Sequence, residues 1–176
     1  MLLDLRRAIT ASIVFFVILG LAYPLAETGI GQALFNHQAN GSLTANGSER
    51  IGQTWDGPQW FHGRADGDDP TATGGSNLGP RSKELLDKYR ERIAGLEKEG
   101  VTPHQDLVSA SGSGVDPDIS PDAAYAQVPS VAKARGQSDD KLRALVERHV
   151  QGPQFGFLGA SHVNVLELNE ELATLR

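Results

Sequence analysis

Cysteine is missing from all 176 residues, which removes disulfides, thiolate metal ligands and a thiol nucleophile in one step. The absence does not fix the compartment, because a domain with an adequate core survives an oxidising space without bridges. Positive charge is also short: 16 Lys and Arg stand against 22 Asp and Glu, a net charge of -6 at pH 7. Binding nucleic acid through its phosphates needs a basic face that this balance does not supply. Anionic headgroups are equally poor partners, except for the few basic residues beside the N-terminal apolar run. The five histidines (His37, His62, His104, His149 and His162) include no H-E-x-x-H or comparable ligand spacing. Nothing in the arrangement of Ser, His and Asp nominates a triad. No internal repeat is present.

A long hydrophobic run is what the chain does have. From Ala8 to Ala26 it carries no charge, and about 19 residues at 1.5 Å each reach roughly 28 Å, the thickness of a bilayer core. Arg6 and Arg7 precede the run and the next Lys or Arg is Arg50, so the positive-inside bias places residues 1–7 in the cytoplasm and everything after the span outside. A cleaved signal peptide is the competing reading, with a cut after Ala22. The run is long for an h-region, however, and lacks an A-x-A site. A buried core helix is the third. The preferred organisation is a cytoplasmic N-terminus (1–7), a transmembrane helix (8–26), a linker (27–50) and an extracytoplasmic soluble domain (51–176). Ala11, Ser12 and Gly20 are small enough to let a neighbouring helix approach the span.

The 39% hydrophobic, 22% charged composition of the whole chain is that of a folded protein. Ile51–Trp55 reads as a short strand, Trp60 and Phe61 as anchors, and Gly63–Pro80 as a long loop. Leu85, Leu86, Tyr89, Ile93 and Leu96 recur at helical spacing between a Ser82 cap and Gly100. Asp106–Ala110 is a candidate strand. Ser120-Pro121-Asp122 opens a helix that Pro129 is expected to end or bend, with a second short helix over Ser130–Arg135 closed by Gly136. Asp139–Val150 reads as a further helix, His162–Leu168 as a strand, and Asn169 as the cap of a last helix over Glu170–Leu175. Helices and strands interleave without a β-α-β period, so the expected fold is α+β: one membrane helix followed by one small α+β domain.

Three groups invite chemistry. The run SASGSG (Ser109–Gly114) lacks the lysine of a phosphate loop and the first glycine of G-x-S-x-G, and reads first as a tight loop whose amides and hydroxyls bond the backbone. Its functional reading is a contact loop for a partner or anion. Asp66, Asp68 and Asp69 resemble the opening of a calcium loop, but Thr71 and Asn77 stand where an EF-hand needs Gly and Glu. Asp116, Asp118 and Asp122 have the same standing.

The stretches GGSNLGP (Gly74–Pro80), SASGSGVDPDISPDAA (Ser109–Ala124) with QVPSVAKARG (Gln127–Gly136), and VNVLELN (Val163–Asn169) follow one N-terminal span in this order. In that arrangement the chain resembles the C subunit of the Kdp potassium-transporting P-type ATPase, over essentially its whole length. It departs from the family pattern at Arg64-Ala65-Asp66-Gly67 and at Gly159-Ala160-Ser161-His162. The resemblance implies an accessory subunit, non-catalytic by itself, that holds an inner-membrane complex together and promotes ATP use. The implied partners are a potassium-channel-like subunit, an ATP-hydrolysing subunit, a small fourth peptide and membrane lipid. ATP and potassium ion are used by the complex, with no cofactor of this chain's own. Carried over by motif, the partner-contact candidates are Ser76, Asn77, Leu78, Ser111, Gly112, Ser113, Asp116, Gln127 and Asn164. An outward-facing domain does not meet cytosolic ATP, so an effect on nucleotide use would be indirect. The reading from a different class is an exported, membrane-anchored hydrolase or binding protein.

Overall fold

A computed structural model describes residues 1–66 and 72–175. It divides into two units, residues 1–43 and the chain from Thr44 on. Asp68, Asp69 and Thr71 of the proposed calcium loop lie outside the described residues.

The first unit is a helical run from Leu2 to Leu34, 33 residues long, followed by one short helix. Helix α1 (Leu2–Val17) passes through a π-helical turn (Ile18–Ala22) into α2 (Tyr23–Leu34). Pro24 explains the wide turn: it brings no N–H, and its ring needs room beside the preceding carbonyls. The run extends past the charge-free segment at both ends, and residues 27–34, expected to begin the linker, are helical. Phe35 breaks the regular backbone with φ -136°, and α3 (Asn36–Ala39) follows. A side-chain knot then fixes the corner, in which Asn36 donates to Gln32 at 3.0 Å and Asn40 donates to Gln32 at 3.1 Å. No residue of α1 or α2 is buried.

The second unit holds α4 (Lys83–Lys98), α5 (Gln105–Val108), β1 (Asp118–Ile119), α6 (Pro121–Arg135), α7 (Asp139–His149), β2 (Val150–Gln151), β3 (His162–Asn164) and α8 (Val165–Thr174). Its sheet runs β1-β3-β2. Both pairings are antiparallel, with Ile119 opposite Val163 on one side and Val150 opposite Val163 on the other. Val128, Val131, Leu142, Leu145, Val146, Val163, Leu168 and Leu172 bury themselves where α6, α7 and α8 meet this sheet, joined by Phe61 from the loop. The architecture is the expected α+β domain after one apolar helix.

Five expectations need correction. The helix begun at Pro121 runs unbroken through Pro129 to a Gly136 C-cap with φ +65°. An interior proline costs about 3 kcal/mol; full burial of Val128, Val131 and Ala132 offsets it, since each large apolar side chain taken from water contributes about 1.5–3 kcal/mol. The stretch HVNVLEL is a strand only to Asn164. There the Asn164 side chain accepts from Glu167 N at 3.2 Å and starts α8, so Val165, Leu168, Asn169 and Leu172 follow a helical period. Asn169 is therefore fully buried inside α8 instead of capping a later helix. Asp106–Ala110 holds no strand, because α5 ends at Val108 and begins with His104 Nδ1 accepting from Asp106 N at 3.4 Å. Ile51–Trp55 has no strand either; a bond from Gly52 N to Val115 O, 2.8 Å, ties it to the loop before β1.

Helix α4 forms where its stripe predicts, but none of it is fully buried and Leu86 stays 42% exposed. Arg92 secures it by donating to Val108 O at 2.9 Å and to Ala65 O.

Candidate functional site

The two glycine-rich stretches cross one another. Gly74 N donates to Ser113 O at 2.6 Å. A Cβ on Gly75 would lie 3.1 Å from Gly112 O, and one on Gly114, whose φ is +74°, would lie 2.5 Å from Gly74 O. Backbone rests on backbone here, which is why these positions lack side chains. Ser76 and Asn77 are exposed beside the crossing, with Leu78 half-buried next to them.

Asp66 fastens this crossing from below in the chain. Its Oδ1 accepts from Ser111 N, and its Oδ2 accepts from Ser111 Oγ at 2.7 Å and from Asp116 N at 3.0 Å. Ser111 Oγ in turn accepts from Gly114 N at 2.9 Å. A concave set of loop amides attracts an anion, and the anion this loop holds is a carboxylate of its own chain. Arg64 then reaches Asp116 at 2.9 Å and Asp106 at 3.3 Å, with its side chain 24% exposed. Asp106 also accepts from Ser120 N at 2.8 Å, connecting the cluster to the start of α6. Burial pushes the Asp106 carboxyl up, but the Ser120 hydrogen bonds, followed by Arg64, outweigh it and leave the group below its ordinary value.

A cavity of about 140 Å³ opens beside the cluster, lined in part by Trp55, His62, Arg64, Asp66 and Asp116. Trp55 Nε1 and His62 Nε2 are buried there without a hydrogen-bond partner among the described residues. Ser111 and Ser113 bond to each other at 3.1 Å, and their hydroxyls also serve Asp66, Gly114 N and Val115 N. Hydroxyls committed in this way fasten a loop; they are not activated nucleophiles. Among the described residues no group of three His, Asp or Glu is placed to hold a metal.

The structure thus gathers Ser76, Asn77, Leu78, Ser111, Gly112, Ser113 and Asp116 on one side of the domain's loops, and takes Gln127 and Asn164 elsewhere. Gln127 is 1% exposed: its Oε1 accepts from His62 N at 2.7 Å and its Nε2 donates to His62 O at 3.0 Å. Asn169 treats Phe61 identically, accepting at 3.0 Å and donating at 2.8 Å. Two amides from two helices thereby imitate a neighbouring strand and clamp the Phe61-His62 backbone. Asn164 is 6% exposed and donates to Glu49 O at 2.9 Å while capping α8.

Sequence reasoning did not single out Arg64, Trp55 or Arg135. Arg135 lies 4.4 Å over the Trp60 ring, and Trp60 meets Trp55 with centroids 4.9 Å apart. The partners of Arg64 and Arg135 lie tens of residues away, so no local spacing announces them.

Residues 5–174 match the family model described as KdpC, K+-transporting ATPase, c chain. A potassium-transporting ATPase KdpC subunit of Caulobacter vibrioides is 46% identical, covering 98% of this chain and 93% of that protein. One from Rhodopseudomonas palustris strain BisB5 is 47% identical with 100% of both chains covered. A third, from Koribacter versatilis, is 42% identical over 96% of this chain and 93% of its own length.

Proposed function

Because the chain belongs to the family of K+-transporting ATPase c chains, we propose that it is the accessory subunit of an ATP-driven potassium uptake complex, stabilising the assembly and promoting ATP use by another subunit. The match across residues 5–174 carries the reading. The apolar helix supports it, since a 33-residue helical run without buried residues suits a lipid environment.

In this reading the span packs against partner helices through Ala11, Ser12 and Gly20. The paired arginines hold residues 1–7 in the cytoplasm and the α+β domain lies outside. The partners are a potassium-channel-like subunit, the ATP-hydrolysing P-type subunit and a small fourth peptide. ATP and potassium ion act at those subunits, and coupling to this domain passes through the membrane parts. Ser76, Asn77, Gly112 and Ser113 supply its exposed contacts, with Leu78 half-buried beside them. Ser111 and Asp116 hold the loop in shape, and Gln127 and Asn164 support it from within.

Purification of the tagged full chain in mild detergent tests the proposal. Large polytopic subunits and potassium-stimulated ATP hydrolysis in the eluate are the expected outcome. A lone monomer with hydrolytic turnover of its own would instead mark an exported enzyme.

A further inference from the structure

The loop between β2 and β3 presents apolar rings to the outside. Phe155 is 79% exposed, Phe157 75% and Leu158 49%; among the described residues from Thr44 on, the only other large hydrophobic exposed to this degree is Leu86. The same domain hides Phe61 completely, so a concentrated patch of this kind marks an interaction surface.

The turn is also rigid. Gln154 N donates to Leu158 O and Leu158 N to Gln154 O, both at 2.9 Å. Gly156 N donates to Pro153 O at 2.9 Å, inside the same loop. These bonds hold Phe155 at φ +55°, a left-handed conformation that a bulky residue adopts rarely. A backbone fixed in this way presents the ring outward before binding, which lowers the entropic cost of docking.

Charge decides between lipid and protein as the occupant. From Val150 to Ser161 there is no charged residue. Loops and helices that dip into a membrane surface surround their apolar residues with Lys and Arg for the headgroups, and this turn has neither. The centre of a protein interface, by contrast, is depleted in charge and enriched in aromatic residues.

We infer that the 153–159 turn is an anchoring knob that seats Phe155 and Phe157 in an apolar pocket of another protein subunit. The inference rests on the proposed membership of a multisubunit complex and adds the surface by which this domain is held. It is tested in the full chain co-expressed with its complex. The variant pair is Phe155→Gly, which suits the positive φ and preserves the turn, with Phe157→Ser. The expected result is at least a tenfold loss of co-purifying subunits with an unchanged unfolding temperature. Independently, a photo-crosslinking benzoylphenylalanine at position 157 in the otherwise unaltered complex should give an adduct with a second polypeptide. An adduct with lipid alone, or full co-purification of the double variant, overturns the inference while leaving the accessory-subunit reading intact. Failure of the unaltered chain to bring down any subunit overturns both.

Discussion

Leu19, in the first helical run, is 60% exposed, whereas Leu168 in α8 is completely buried. The two side chains are identical, and their neighbours are of the same kinds: Val, Ile, Leu and Phe. In α8 the apolar residues return every three or four positions among Glu, Asn and Thr, so that helix has one side to hide. Around Leu19 they occur on every side, and no protein surface in that unit covers them. The leucines do not separate the two regions; the residues between them do, charged or polar on one side of α8 and apolar all round Leu19. One region is built to exclude water by packing, the other to be dissolved in hydrocarbon.

The same truncation made in both regions is the sharpest attempt to break that contrast. Leu168→Ala should destabilise the domain by about 2–5 kcal/mol, because it leaves a cavity in a packed core. Leu19→Ala should shift the same transition by less than about 0.5 kcal/mol. Both Trp residues, Trp55 and Trp60, belong to the domain, so tryptophan fluorescence of the full chain in detergent follows only its unfolding. Equal losses would mean that the two regions share one core.

A smaller effect separates backbone crossings from ordinary turns. Gly114→Ala suffers both a positive φ and a Cβ at 2.5 Å from Gly74 O, and should cost about 1–3 kcal/mol. Gly100 also has positive φ, +76°, but open space around it, so Gly100→Ala should cost about 1 kcal/mol. The unfolding midpoints of the two variants should fall in that order. A milder Gly114→Ala would show that the crossing of GGSN over SASGSG does not hold the loops.

These contrasts explain what the sequence discloses. The apolar N-terminal helix is legible because length and lack of charge are local properties. Helix α4 is legible because its stripe is regular, although the helix contributes little to the core. VNVLELN misleads because Val163 and Val165 alternate with Asn164 like a strand while Asn164, three residues before Glu167, is a helix cap; two local signals compete, and burial of Leu168 and Leu172 decides. Pro129 misleads because propensity is overruled by packing on both sides of it. In the site, the motifs locate the loops correctly, but what ties them is not local. Asp66 meets Ser111 across 45 positions, and Gln127 meets His62 across 65.

The smallest effect is electrostatic, and it separates two carboxylates of the same domain. Asp106 lies below its ordinary value of 3.8 because the hydrogen bonds from Ser120 and the charge of Arg64 outweigh burial. Asp118 lies above it, since burial dominates the opposing pull of His162. The folded chain therefore favours the charged form of Asp106 and the protonated form of Asp118, and proton linkage gives the two opposite signs. Stability from Asp106 is complete above the unfolded value and disappears as pH falls through the lowered one, so Asp106→Asn should be most destabilising at pH 7 and approach the parent only once the pH has fallen below the lowered value. The contribution of Asp118 is complete below the unfolded value and is lost as pH rises through the raised one. Asp118→Asn should consequently be slightly more stable than the parent at pH 7, with the gain closing toward pH 3. Unfolding midpoints across that range decide the matter: shifts of the same sign in both variants would show that the Ser120 hydrogen bonds and Arg64 do not outweigh burial at Asp106.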